Sequence, residues 1–253
     1  MLNTVYKIFA KVVANRITHV LMKWISSEQK GFIKGRNLIE AVISLWEGIE
    51  YAQDSKQDVV FVKVDFDKAY DRLEWSFILL SLEHMGFGPM LIRFVRTLFG
   101  QARARIAFNG LLSNFFELNR SVRQGCPLAP LLFAISVDGL NCLVKARMSE
   151  GKIKGIQLPN SKGQQCLSQF ADDTNGLIAN EEESLWEFWQ CLQLFCVASG
   201  SKINHSKTGV KQGAISLPQW LLAFGCKLIL PHQPFRLLGI PMGFGISLNR
   251  RTH

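Results

Sequence analysis

The stretch "LSQFADDTNGLIA", residues 167–179, sets two carboxylates, Asp172 and Asp173, side by side between two apolar, strand-like runs. Such runs pair with each other across a tight turn, which carries both like charges together. The pair stays unneutralised unless a divalent cation joins it. Magnesium takes hard oxygen ligands, commonly one or two carboxylates completed by substrate phosphates. A second strand signal, "DVVFVKVD" at 58–65, is β-branched and bounded by acids, and predicts a central strand with Asp65 at its C-terminal end. If the two strands are neighbours, their ends converge, and Asp65 completes a three-carboxylate site for a two-metal phosphoryl displacement. Asp67 and Asp71, in "DFDKAYDRLEW", fit turn formers or helix caps instead.

The remaining elements follow from periodicity and punctuation. Val5, Ile8, Phe9, Val12, Val13, Ile17, Val20 and Leu21 recur at helical spacing and predict a first helix; Asn37 is placed to cap a second, with Leu38, Val42, Leu45, Trp46 and Ile49 as its buried stripe. Helices are predicted at 74–86, closed by Gly86, and at 89–99, with Pro89 in the first turn and Gly100 as the stop. "ARARIAFNGLLSNFFEL" alternates with period two around Asn109-Gly110, a hairpin signal. A long apolar helix is expected from about Pro127 to Met148, strands at 153–158, 164–170 and 174–179, and a helix from Glu181 to Ala198 ended by Gly200. Sequential strands on one sheet with helices packed against it give an α+β layout.

With 48% hydrophobic residues among 253, the chain has enough apolar material for a sizeable core, in one large domain or two small ones. No run of 18 apolar residues occurs, and the start lacks a continuous apolar segment, so neither a membrane span nor a secretory signal is expected and the location is read as intracellular. The six cysteines show no CxxC pair and signal neither zinc nor a disulfide framework. The net charge of +9 is segregated. Residues 1–36 carry seven Lys/Arg against Glu28 alone, residues 93–123 six Arg against Glu117 alone, and residues 200–253 seven Lys/Arg and no acid, whereas ten acids lie between Glu40 and Glu83. A basic track beside an acidic focus is the footprint expected for nucleic acid.

"FVKVDFDKAYDRLEW", "SVRQGCPLAPLLFAI" and "FADDT", in this order and spacing, resemble motifs A, B and C of reverse transcriptases, specifically those of non-LTR, LINE-type retrotransposons. "NTVYKIFAKVVANRI", "SSEQKGFIKGR", "SGSKINHSKT" and "FRLLGIPMG" extend the resemblance over nearly the whole chain. The departures are Phe170 in place of a common Tyr, Cys126 where many relatives have Asp, and Ser201 where they often have Leu.

The resemblance implies a right-hand polymerase with a ferredoxin-like palm: partial fingers at 1–57, palm at 58–200 with a fingers insertion at about 87–120, and a motif D/E region at 201–253. Met1 falls inside the first fingers motif and the chain ends soon after Gly239, so the expectation is a domain truncated at both ends with the thumb largely missing. The implied activity is RNA-directed DNA polymerisation on an RNA template and DNA primer with deoxynucleoside triphosphates. Asp65, Asp172 and Asp173, with the Phe66 carbonyl, would hold two Mg2+ ions, with Mn2+ as substitute. Tyr70 matches the steric gate under the incoming sugar, Arg36 a triphosphate grip, and Gln124 and Gly125 the loop against the nucleotide. Lys207 matches a proton donor to pyrophosphate, and Leu238 and Gly239 the turn that supports the primer end. Arg103, Arg105, Arg120 and Arg123 would meet phosphates or serve as plain surface charges. The alternative is a non-catalytic nucleic-acid-binding remnant of such a polymerase.

Overall fold

The computed structural model describes residues 4–100, 102–123, 125–159, 163–211, 217–230, 233, 235–237 and 240–242. Helices α1 (Thr4–Trp24) and α2 (Leu38–Asp54) lead into strand β1 (Val59–Val64), followed by α3 (Ala69–Arg72), α4 (Trp75–His84) and α5 (Pro89–Phe99). Next come β2 (Arg103–Ala104), β3 (Ala107–Phe108), β4 (Leu111–Leu112) and β5 (Phe116–Glu117). They form the expected hairpin, β2 on β5 and β3 on β4, closed by Asn109 and Gly110, both at positive φ. Helix α6 (Ala129–Ser149) precedes β6 (Ile156–Gln157), β7 (Gln164–Gln165), β8 (Leu167–Phe170) and β9 (Asp173–Ala179). Helix α7 (Glu182–Ser199), β10 (Gly209–Lys211), α8 (Gln219–Ala223), β11 (Lys227–Ile229), β12 (Phe235–Leu237) and β13 (Ile240–Met242) complete the order.

The central sheet has the order β11-β10-β1-β9-β8. Strand β1 is antiparallel to both β9 and β10, and β8 is antiparallel to β9. The path β1–α6–β8–β9–α7–β10 is the split βαβ of a ferredoxin-like palm, with the two long helices as its crossovers. Strand β11 adds to β10 in parallel, from a segment that carried no strand signal.

Alternation along β1 and β9 sorts side chains to two faces. Val60, Val62, Val64 and Ile178 join the main core, which also contains Ile78 and Leu82 of α4, Leu132 and Leu140 of α6, and Phe188 and Leu192 of α7. Gly176 makes room for this packing, since a Cβ there would stand 3.1 Å from the Phe188 ring. On the other face, Phe61 and Leu177 form a smaller core with Val42, Leu45 and Ala52 of α2 and Leu237 of β12. That cluster fills one end of the face; the other end carries Lys63, Asp65, Asn175 and Asp173.

Helix α1 buries Ala10, Ala14, Ile17 and Leu21, whereas Val5, Ile8, Phe9 and Val12 are 45–58% exposed. Helix α1 contacts α6, and its buried face carries small side chains beside larger ones. Helix α6 is also long and apolar enough to cross a membrane by length and composition, although no unbroken apolar run marks it. Two-thirds of its apolar window is buried inside the fold, which accounts for a helix apolar on all sides. Helix α2 meets expectation at its start, where the Asn37 side chain accepts from the Glu40 amide at 2.8 Å.

Candidate active site

Register builds the site. Val64 of β1 pairs with Thr174 of β9, so Asp65 and Asp173, each one step nearer the same end, fall beside one another on the same face. Phe170 pairs with Asp173, leaving Ala171 and Asp172 as a two-residue turn, with Ala171 at φ +58°. Asp172 is thereby lifted to the exposed tip while Asp173 stays half-buried at the strand start. The Asp65 backbone is held on both sides. Its amide donates to the Thr208 hydroxyl at 3.2 Å, and its carbonyl accepts from the Asn204 amide at 2.8 Å.

The electrostatics reflect that crowding. Burial pushes the Asp173 carboxyl above the usual carboxylate range; Lys63 pulls it down, and Asp172 and Asp65 push it up. Burial, with the Asp172 charge added, likewise raises the Tyr70 phenol, which places that ring within the field of the turn. Asp67 is occupied elsewhere. Its carboxylate accepts two bonds from Arg72, at 2.8 and 3.1 Å, and that pairing lowers its pKa.

Among the described residues, no group of three or more His, Cys, Asp or Glu side chains stands ready to enclose a metal ion by itself. The donors that do gather are hard carboxylate oxygens, whose mutual repulsion a divalent cation relieves. They fit magnesium in its usual setting, where carboxylates supply part of the shell and a phosphorylated substrate the rest.

The other expected residues are distributed as follows. Tyr70 stacks on Phe133 (4.3 Å between centroids, 11° between planes) and meets Phe32 edge-on at 6.4 Å. Phe66 is buried against Phe195, its backbone bridged to Ile203. Lys207 is exposed in the loop between Asn204 and Thr208, the two residues that hold the Asp65 backbone. Gly125 adopts φ +81°, with open space where a Cβ would be. Gln124, Leu238 and Gly239 lie outside the described residues. The Arg36 guanidinium donates to the carbonyls of Ile25 at 2.8 Å, Gln29 at 2.6 Å and Ser26, all in the loop that follows α1. A fork of donors satisfies several loop carbonyls at once, and this use competes with a triphosphate grip.

Beside the turn, an open cavity of about 630 Å³ is lined by Lys11, His19, Lys30, Lys34, Arg36 and Phe170, among others. Its cations come from α1 and the 25–37 loop, within the basic N-terminal segment. The sequence reading missed Lys63, Thr208 and Gln29. Lys63 was accessible by rule, since it lies two residues before Asp65 on the same face of one strand. Thr208 and Gln29 reach the site through pairings between distant segments and carry no local signal.

A family model described as reverse transcriptase (RNA-dependent DNA polymerase) matches residues 1–242. The chain is 28% identical over 218 residues to the Transposon TX1 uncharacterized 149 kDa protein of Xenopus laevis, covering 86% of this chain and 16% of that protein. It is 24% identical over 215 residues to the Probable RNA-directed DNA polymerase from transposon BS of Drosophila melanogaster, covering 82% and 22%. To the retrovirus-related Pol polyprotein from type-1 retrotransposable element R2 of Nasonia vitripennis it is 26% identical over 133 residues, covering 52% and 13%. The chain spans less than a quarter of the length of these three relatives. Among solved structures, apo telomerase from Candida tropicalis shares the fold with a TM-score of 0.61 at 13% identity, covering 94% of this chain and 44% of that one. Telomerase from Candida albicans, in complex with a TWJ fragment of telomeric RNA, gives 0.57 at 11% identity over 94% and 36%.

Proposed function

We propose, for a chain that belongs to the reverse transcriptase (RNA-dependent DNA polymerase) family, that the open end of the sheet's front face is a nucleotidyl-transfer centre extending a DNA primer on an RNA template. The observation that carries this reading is the β1–β9 register, which sets Asp65 beside Asp173 and, one turn residue away, Asp172. Polymerases of this family generally use divalent metal ions, and here Asp65, Asp172, Asp173 and the Phe66 carbonyl would hold them. Bound there, magnesium or manganese supplies Lewis acidity to the attacking 3′-hydroxyl and to the leaving pyrophosphate.

The chain's own residues orient the reactants. Tyr70, held by Phe133 and close to the carboxylates, presents a flat apolar edge to a deoxyribose and leaves little room for a 2′-hydroxyl. Gly125, which lacks a side chain, allows close approach of the nucleotide to the backbone, and Gln124 belongs to the same loop. Lys207, on the loop that anchors Asp65, would donate a proton to pyrophosphate. Leu238 and Gly239 would support the primer end. Lys11, Lys30 and Lys34 around the basic cavity suit the phosphates of a template strand and add salt-dependent affinity without reading sequence.

The deciding experiment is magnesium-dependent extension of a DNA primer on an RNA template, with the chain beside its Asp172→Asn/Asp173→Asn double variant. Extension by wild type alone supports the proposal. Equal, negligible extension by both, with salt-sensitive nucleic-acid binding retained, would instead identify a binding remnant.

A further inference from the structure

The turn that presents Asp172 is gripped by a side chain outside the carboxylate cluster. Gln29, in the loop between α1 and α2, is fully buried. Its Nε2 donates to the Ala171 carbonyl at 3.2 Å, and its Oε1 accepts from the Ala171 amide at 3.0 Å and from the Gly31 amide at 2.8 Å. One side-chain amide thus satisfies both backbone polar groups of the residue that stands at φ +58°. A left-handed conformation is disfavoured for alanine and persists where its surroundings over-determine it.

The loop is tied to the turn on either side of that grip. The Gln169 amide donates to the Glu28 carbonyl at 2.9 Å, and the Lys30 amide to the Gln169 carbonyl at 2.8 Å. Gly31 lies so near that a Cβ on it would fall 2.2 Å from the Ala171 nitrogen, so any larger residue forces the two backbones apart. Behind Gln29, Arg36 holds its carbonyl at 2.6 Å. A buried polar chain supports the neighbouring strand: Asn141 Nδ2 donates to Gln169 Oε1 at 2.7 Å, and Gln169 Nε2 to the Thr174 hydroxyl at 3.1 Å. The grip needs a donor and an acceptor on one planar group. Glutamine has both, an ionised glutamate only acceptors, and methionine neither strong group.

We infer that Gln29 is a positioning residue of the catalytic centre. It locks Ala171 in the left-handed conformation and so fixes the direction in which Asp172 leaves the turn, with Arg36 and Gly31 holding Gln29 in register. The inference rests on the proposed catalytic role of the carboxylates, and its test separates the two.

Gln29→Met keeps the length and removes the grip. Amide hydrogen exchange resolved by NMR is expected to accelerate at Ala171 by about tenfold or more, while Val62 in the sheet centre stays protected. In primer extension, kcat is expected to fall about tenfold with the nucleotide KM within about twofold, the split produced when geometry rather than binding is lost. Gly31→Ala should move both readouts in the same direction. If Gln29→Met does not fold, Gln29→Glu carries the test, since it keeps the acceptor and loses the donor. Unchanged exchange at Ala171 overturns the inference, as does a kcat that falls only in proportion to the folded fraction. A wild type that extends no primer counts against the catalytic reading, and exchange at Ala171 then decides the grip alone.

Discussion

The two faces of the central sheet are made by the same strands and meet opposite demands. On the back, Val60, Val62, Val64 and Ile178 are at most 1% exposed beneath the helices. On the front, one residue along in each strand, stand Lys63, Asp65, Asn175 and Asp173. Because side chains alternate with period two, the pairing that buries the valines is the pairing that aligns the acids. A one-residue slip would send the valines to the open face and the carboxylates into the core, and the cost of that exchange fixes the register. The apolar face therefore positions the polar one, although it touches no substrate.

Several substitutions would break or sharpen this contrast. The largest effect is expected at Asp65→Asn on the front face. It should reduce magnesium-dependent extension by about a thousandfold, equivalent to about 4 kcal/mol of transition-state stabilisation. Thermal unfolding should show unchanged or increased stability, because one of three crowded like charges is gone. On the back face, Ile178→Ala should do the converse. Opening a cavity under a fully buried side chain costs about 2–5 kcal/mol in denaturant unfolding, and activity per folded molecule should persist.

Asp138 of α6 is buried behind the sheet, where it accepts from the Ser26 amide at 3.1 Å and from Asn141 at 3.2 Å. Burial raises its carboxyl above the usual range, opposed by those two bonds and by Lys145. Its proton is thus held more tightly in the folded chain than in the unfolded one. The stability this confers is present below the unfolded pKa and lost as pH rises through the folded value. Asp138→Asn, which keeps an acceptor oxygen, should gain on wild type across that pH window in paired melting curves. The smallest effect is expected at Asn37→Ala, which removes the α2 cap at about 1 kcal/mol and leaves both faces of the sheet intact.

Much of this arrangement is legible in the sequence. Strand β1, the Pro89-to-Gly100 helix, the Asn109-Gly110 hairpin and the paired aspartates all carry local signals, and the structure places each where its signal lies. Helix α1 follows its periodicity, yet Ala10 and Ala14 are buried beside Ile17 and Leu21 while Val5, Ile8, Phe9 and Val12 stay exposed, because burial follows the packed face and not side-chain bulk. Strands β10 and β11 were missed because each is three residues long and formed by pairing rather than by intrinsic preference. The resemblance gives Arg36 to a triphosphate, and nothing local in the sequence shows that its guanidinium meets the carbonyls of Ile25, Ser26 and Gln29. Gln29 sits in the polar run "SSEQKG", where nothing local distinguishes the residue that is buried from those that are solvated.

The strand order also sets a timetable. Strand β1 is synthesised early, yet its two neighbours in the sheet are β9 and β10, each more than 100 residues downstream. Pairings so distant in sequence form slowly, because loop closure comes before any contact that rewards it. As the chain leaves the ribosome, Asp65 therefore waits at the end of an unpaired strand until residue 179 has emerged. Its backbone gains its second anchor only when Thr208 arrives. The helices have local reasons to form early, whereas the carboxylate cluster is among the last features the chain assembles.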